Sequence, residues 1–370
     1  MRVLVIGAGP MGIAAAAGAS DRGHDVTVVE RGEVGASLRT WGPTRFFSPL
    51  AMNVSPSMRS RLGSIDDDAL LTGPEYVEEI LEPIAKTLRV KTNARVIAIG
   101  RRGLTRSDYA GHPLRAEKPF RVVLQDDETL EADVVLDASG GLVVPRAFGA
   151  GGLPPRGLSR LTQPPIRTLG ELASRVDELR GKRVLVVGDG HSAANAIVML
   201  ANEPSVHVVW AVRTANRKPC EEVMNDPLPE RQRVVGRANE LAAAPSQSLH
   251  VERRAMVESL AANNGHLAVA LTGNRVVEVD ALAAFTGYQP SNDYLSEVAV
   301  EISPITEGGA RLYRAISNVT DCLTVPAVKP EDLQSGEPGY YFVGSRAYGR
   351  SSGFLLNTGF AQLEVILNAL

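Results

Sequence analysis

The chain has 370 residues, 44% hydrophobic and 22% charged, with a formal net charge of -3. That length predicts two domains, and the charge, without a run of Lys or Arg, argues against nucleic acid or an anionic membrane as the main partner. No apolar stretch reaches the ~18 residues of a membrane span and Met1 runs directly into a strand, so a cytoplasmic protein with a small-molecule partner is expected.

Arg2-Val3-Leu4-Val5-Ile6 reads as a strand, Gly7-Ala8-Gly9-Pro10-Met11-Gly12 fits G-x-G-x-x-G, and Ile13 to Ala19 reads as a helix. A second strand, Asp25 to Val29, ends on Glu30, 18 residues past Gly12. This is the dinucleotide fingerprint: Gly7 allows the turn, Gly9 lets a pyrophosphate approach the helix N-terminus, Gly12 lets helix and strand pack, and Glu30 takes the ribose hydroxyls. Glu30 to Ser48 is a long loop carrying Trp41, Arg45, Phe46 and Phe47, and such a loop beside a nucleotide site is usually functional. Thr72 to Arg89 predicts a helix interrupted at Pro83. Val90 to Arg101, Phe120 to Gln125 and Thr129 to Ala132 predict an antiparallel meander, after which Asp133 to Gly140 returns a strand to the sheet. The glycine cluster from Gly149 to Gly157 follows no strand and reads as a loop.

A second fingerprint follows. Lys182 to Val187 is a strand, Gly188-Asp189-Gly190-His191-Ser192-Ala193 matches G-x-G-x-x-A, and Ala194 to Asn202 continues as a helix. The next strand, Val206 to Val212, ends on Arg213, which suits a 2′-phosphate with Arg217 and Lys218 as auxiliary charges, favouring NADPH over NADH. Leu228 to Ala244 predicts a helix, Leu249 to Glu278 a strand meander, and Asp280 to Pro290 a second return strand. The halves repeat one construction, so two nucleotides are expected. Tyr340 to Gly344 predicts the last strand, and Phe354 to Leu370 a terminal helix. Cys220 and Cys322 are the only cysteines and the six histidines lack metal-ligand spacing, so neither a disulfide framework nor a metal site is expected.

With GAGPMG and Glu30, DASG at Asp137 to Gly140, GDGHSA with Arg213, TGYQP at Thr286 to Pro290 and YFVGS at Tyr341 to Ser345 in place, nearly the whole chain resembles the two-dinucleotide-binding-domain flavoproteins. These include thioredoxin-reductase-like enzymes, bacillithiol disulfide reductases and class B flavin monooxygenases. The resemblance implies an α/β fold of two Rossmann-like three-layer nucleotide-binding domains. An NADPH domain, 165–290, is inserted in a discontinuous FAD domain, 1–160 and 291–370. It implies FAD contacts at Gly7, Gly9, Pro10, Met11, Gly12, Glu30, Arg31, Ser37, Leu38, Arg39, Val96, Ala138, Ser139, Gly140, Gly344, Ser345, Phe354 and Leu355. The nicotinamide nucleotide falls to Gly188, Gly190, His191, Ser192, Ala193, Arg213, Thr286 and Gly287.

The segments Glu30 to Ser48 and Phe354 to Gly359 resemble the bacillithiol disulfide reductases in particular. Those enzymes place a cysteine in the first glycine motif, where this chain has Met11. There is also no C-x-x-C, and Ser345 stands where thioredoxin-reductase-like flavoproteins have aspartate. The Baeyer–Villiger fingerprint F-x-G-x-x-x-H-x-x-x-W/Y is absent too. A thioether forms no thiolate, so the flavin must carry the chemistry.

The favoured expectation is a monooxygenase acting on a nucleophilic nitrogen or sulfur through a C4a-hydroperoxyflavin, with Trp41, Arg45, Phe47, Asn53 and Tyr348 shaping a dry pocket and Arg346 or Arg350 anchoring an anion. The alternatives are an NADPH-dependent reductase of a small disulfide, quinone or imine, and a non-catalytic flavin-bound sensor. Nothing in the sequence excludes a homodimer.

Overall fold

The structure is a computed structural model that describes all residues except 110, 142–143, 245–246, 264 and 318–327. The first glycine turn joins strand β1 (Arg2–Ile6) to the helix Pro10–Asp21, which leads to β2 (Asp25–Val29). Met11 to Ala19 of that helix are all buried, as expected for an alanine-rich helix with no polar face, layered between the sheet and another helix. Gly18 permits the close contact on its far side: a Cβ there would lie 2.5 Å from Leu367 Cδ1 of the terminal helix.

The helix expected from Thr72 starts at Gly73 behind a capping box, in which Thr72 and Glu75 satisfy each other's backbone N–H. Pro83 does not interrupt it. Val77–Leu81 widen into a π turn and Glu82–Ala85 resume as α-helix, the wider turn accommodating the missing N–H and the ring of proline.

The run from Val90 to Arg101 divides instead of forming one strand. β3 (Val90–Lys91) joins β2 as a parallel edge, then Asn93, at φ 53, turns the chain into β4 (Val96–Arg101). β4, β5 (Phe120–Leu124) and β6 (Thr129–Ala132) form the expected antiparallel meander, and β7 (Val134–Asp137) returns parallel to β1.

β8 (Val144–Pro145) leaves the first unit. The loop from Gly149 to Gly157 lies along a later strand through bridges from Gly149 to Val257 and from Arg156 to Ser259. β9 (Arg183–Val187), the helix His191–Ala201 and β10 (His207–Ala211) repeat the first construction, followed by the helix Pro229–Ala243. The run expected to be wholly meander begins differently: β11 (Leu249–Glu252) adds to β10 in parallel. β12 (Val257–Asn263), β13 (His266–Leu271) and β14 (Arg275–Val279) make the meander, and β15 (Ala281–Ala284) returns beside β9. β16 (Tyr288–Gln289) then pairs antiparallel with β8, so the chain enters and leaves the second unit through one two-stranded ribbon.

β17 (Tyr340–Phe342) closes the first sheet against β7, and the terminal helix spans Leu356–Leu367. The sheets run β17-β7-β1-β2-β3 and β11-β10-β9-β15. Each has its own core; full burial of side chains such as Ile13, Val28 or Leu185 is worth about 1.5–3 kcal/mol apiece and holds the layers together.

One buried charge cluster braces the first unit. Arg101 and Arg115 both bond the Glu337 carboxylate, which also accepts the Ala299 N–H at 3.0 Å, with the side chains of all three charged residues at 1% exposure or less. It links β4, the Pro113–Glu117 turn and the approach to β17.

Candidate nucleotide-binding active site

The two glycine turns supply matching cradles. Gly7, at φ +99, abuts β7, where a Cβ would lie 2.6 Å from the Ala138 carbonyl oxygen, and a Cβ on Gly12 would overlap the Gly7 carbonyl oxygen. Gly9 has extended backbone (φ -81, ψ -174), no atom within 4 Å of a would-be Cβ, and caps the helix without any side-chain hydrogen bond. The first N–H groups of that helix thus face open space at its positive end, with Pro10 at a position that needs no N–H partner. Glu30 stands at the rim. Its Oε2 accepts the Ala8 N–H at 2.8 Å and its Oε1 the Gly32 N–H at 2.9 Å, which fixes the carboxylate while leaving lone pairs for a diol.

The residues around Glu30 have distinct places. Arg31 and Ser37 are exposed, Leu38 and Val96 are buried, and Arg39 pairs with Glu82 and, at 3.5 Å, with Glu78. Arg39 is therefore engaged with the neighbouring helix.

Asp137, at the end of β7, gathers the strand ends beneath the turn. Its Oδ2 accepts from the hydroxyls of Tyr294 and Tyr340, both at 2.9 Å, and from Arg346 Nε at 3.0 Å, while Oδ1 accepts the Ser139 N–H at 3.1 Å. Arg346 also donates to Asn292 Oδ1 at 2.6 Å and faces the Phe342 ring. Burial disfavours its charge, yet the Asp137 carboxylate outweighs burial and lifts the guanidinium above its ordinary pKa. Burial pushes both tyrosine hydroxyls up as well, so they act as hydrogen-bond donors. Arg346 is consequently not available to anchor a substrate anion. Arg350 is exposed but paired with Glu307 at 2.8 Å.

Met11 is a wedge. A Cβ on Gly344 would collide with Met11 Cγ, and one on Gly359 would lie 2.8 Å from Met11 Sδ and 2.7 Å from the Phe354 ring. Ser345 Oγ accepts the Gly141 N–H at 3.2 Å, tying the loop after β7 to that after β17, beside Ala138, Ser139 and Gly140. Tyr348 is buried, accepts from the Gln362 amide at 2.9 Å and stacks 5.2 Å from Phe354. Leu355 caps the terminal helix without a side-chain bond.

In the second unit Gly188, at φ +126, abuts the Phe285 carbonyl, and its own carbonyl accepts from Trp210 Nε1 at 2.7 Å. Gly190 is again extended, uncapped and open, His191 and Ser192 are exposed, and Ala193 is fully buried in the third-glycine place. Arg213 is 75% exposed and 3.4 Å from Asp189, Arg217 donates to the Ala243 carbonyl, and Lys218 pairs with Glu222. Thr286 and Gly287 lie just past β15 beside Arg146.

Cys220 is buried and bonded through its backbone to Asn239, and burial, with Asp189 and Glu222 nearby, pushes its thiol up to about 12. Such a thiol is no nucleophile at neutral pH. Cys322 lies outside the described residues.

The five residues expected to shape one pocket fall into separate groups. Trp41, Phe46 and Tyr76 stack at 4.9 and 5.0 Å, and the Tyr76 hydroxyl donates to the Asn53 carbonyl. The Asn53 side chain is spent on Ser48 and Pro49 within its own turn. Arg45 is exposed and donates to the Leu70 carbonyl. Phe47 instead crosses to the second unit and meets His191 edge-on at 5.2 Å. Tyr348 belongs with Phe354. The sequence had not singled out Tyr76, or Asp137 as a buried hub; the available signal for the second was an acid ending an otherwise apolar strand.

Two parallel sheets, each opening a glycine turn onto an uncapped helix N-terminus, with an acid or a basic residue after the neighbouring strand, define a fold of two Rossmann-type units. The chain belongs to the pyridine nucleotide-disulphide oxidoreductase family, whose profile matches residues 1–311. It is therefore a flavin- and nicotinamide-dependent oxidoreductase, and the open turns, Glu30 and Arg213 suit those two groups.

Among solved structures it is similar to the bacillithiol disulfide reductase of Bacillus cereus (16% identity, TM-score 0.69, covering 100% of this chain and 98% of that one). It is also similar to the thioredoxin reductase of T. acidophilum (16%, 0.64, 99% and 97%) and to a flavin-containing monooxygenase from Stenotrophomonas maltophilia (15%, 0.65, 100% and 97%). At such identities these likenesses show the fold. No curated protein matches the sequence significantly. No described helix is long and apolar enough to cross a membrane, and no group of three or more His, Cys, Asp or Glu that could hold a metal occurs among the described residues.

Proposed function

We propose that the protein is an FAD-dependent, NADPH-using oxidoreductase that oxygenates a nucleophilic nitrogen or sulfur atom of a small molecule. The observation that carries this is the thiol chemistry: Met11 is wedged between Gly344 and Gly359, and Cys220 is buried with a raised pKa. No C-x-x-C occurs anywhere in the chain, so electrons have no dithiol motif of that kind to enter.

FAD would be held by the Gly9 turn, Glu30, the Ser139 to Gly140 loop, Gly344 to Ser345 and the N-terminus of Leu356–Leu367. NADPH would be held by the Gly190 turn, Ser192 and Arg213. FAD, when bound, supplies two-electron exchange between NADPH and a second acceptor. The chain's own work is to orient both groups and to place a helix N-terminus where negative charge accumulates. The balanced reaction consumes substrate, O2, NADPH and a proton and gives oxygenated substrate, water and NADP+.

The test is oxygen uptake against NADPH consumption with tertiary amines and thioethers. One O2 per NADPH per oxygenated product is expected. NADPH oxidation that proceeds without oxygen on a small disulfide, quinone or imine would replace the oxygenase with a reductase, and a flavin that NADPH never bleaches would point to a sensor.

A further inference from the structure

The ribbon of β8 and β16 carries an arginine with unused donors. Arg146 immediately follows β8; its backbone N–H donates to the Gly287 carbonyl at 2.9 Å and its Nε to the Thr286 carbonyl at 3.0 Å. A Cβ on Gly287 would lie 3.4–3.5 Å from Nη2, Cζ and Nε alike, so the guanidinium lies flat over the Gly287 Cα. Among the described residues its two terminal nitrogens have no hydrogen-bond partner, and no carboxylate is within ion-pair distance, although the residue is half-buried. Burial, then the charges of Arg350 and Arg213, lower its pKa, with Glu307 opposing.

A half-buried guanidinium among like charges, without a carboxylate partner, is a costly arrangement that an anion would relieve. The surroundings hold it there deliberately. Arg167 donates to the Arg146 carbonyl at 3.2 Å and the Thr286 hydroxyl donates to the same oxygen at 3.2 Å, pinning the backbone on which the side chain stands.

The position selects the anion. Gly287 is two residues past Phe285, whose carbonyl abuts Gly188 of the second glycine turn. In the order β11-β10-β9-β15, Arg213 follows β10 on one side of that turn, and Thr286 and Gly287 follow β15 on the other. A dinucleotide whose pyrophosphate crosses the turn, with its adenosine end at Arg213, places its other half on the β15 side. We propose that Arg146 binds a phosphate oxygen on the nicotinamide side of NADPH, so that the nucleotide is held by the ribbon joining the two units as well as by the second unit. This rests on the nucleotide assignment made above for Gly190 and Arg213.

The test is isothermal titration of the purified full-length protein, wild type and R146Q, with NADP+ and with 2′,5′-ADP, which retains only the adenosine-side phosphates. For R146Q the expected result is about a tenfold or greater loss of NADP+ affinity, the scale of a charge-assisted phosphate contact, with 2′,5′-ADP held within about twofold. R146K should recover part of the loss. Unchanged NADP+ affinity in R146Q overturns the proposal, as does an equal loss for both ligands, which would mean a distorted ribbon or a long-range charge effect. A wild-type protein that binds neither ligand refutes the nucleotide assignment itself, and this contact with it.

Discussion

Gly9→Ala separates folding from flavin binding. Gly9 has extended backbone that alanine adopts without strain, and a Cβ there meets nothing within 4 Å. As a helix N-cap, alanine is worse than glycine, while it also stiffens the unfolded chain; these oppose each other, so stability should change by no more than ~1 kcal/mol. The empty volume is, however, where the pyrophosphate of the proposed FAD would approach the first N–H groups of Pro10–Asp21. A methyl group there displaces the phosphate from about two such bonds, each worth roughly 1.5–3 kcal/mol to a charged acceptor. The combined loss of about 3–6 kcal/mol corresponds to a weakening of FAD on the order of 10²- to 10⁴-fold. Apoprotein is titrated with FAD by flavin fluorescence, and circular dichroism melting reports the fold. Wild-type FAD affinity in G9A would refute a pyrophosphate over Gly9. Gly190→Ala serves as the matched control and should weaken NADPH while leaving FAD in place.

Arg213→Gln should raise the NADPH dissociation constant about tenfold or more and change that of NADH by less than about twofold, read by titration; equal losses would remove the 2′-phosphate assignment. Cys220→Ala should leave turnover unchanged and cost about 1–2 kcal/mol in denaturant unfolding, and a large loss of turnover would return the thiol to the mechanism. Glu337 sets an acid limit. Burial raises its pKa, but the bonds from Arg115 and Arg101 outweigh that and hold it below the ordinary carboxylate range. A depressed folded-state pKa stabilises the protein above the unfolded value near 4.3 and loses that contribution as pH falls through the folded value, so melting temperatures should drop below about pH 4. E337Q should lose ~3–5 kcal/mol at pH 7, by stranding buried arginines, and show a flatter acid profile; an unchanged profile would place the acid sensitivity elsewhere.

Much of the fold was legible because each fingerprint couples local signals that agree: a β-branched strand, glycines at fixed spacing, and an alanine-rich helix. Strand direction was harder to read. Val90–Lys91 and Leu249–Glu252 carry the same apolar alternation as meander strands, and only their parallel partners, β2 and β10, assign them to the central sheets. Pro83 was read as a break because sequence does not reveal a π turn ahead of a proline. At the candidate site, the glycine turns and the places of Glu30 after β2 and Arg213 after β10 were legible, since backbone geometry and strand ends dictate them. The side-chain pocket was not. Whether Phe46 packs inward on Tyr76 while Phe47 reaches His191 depends on how one loop turns, and Arg346 resembled an anion anchor until the distant Asp137 claimed it.

The pairing of β17 with β7 also orders events during synthesis. Tyr340 sits beside Val135, and everything between them, including the whole of β9 to β15, leaves the ribosome first. At ~5–20 residues per second the apolar flank of β7 waits about 10–40 s for its neighbour. The second sheet has all its strands by Ala284, whereas the first stays a four-stranded nascent sheet with an open edge. An unpaired edge of that kind recruits other chains, so slow elongation beyond Ala284 threatens the yield of the half made around β1, and the half made around β9 is spared.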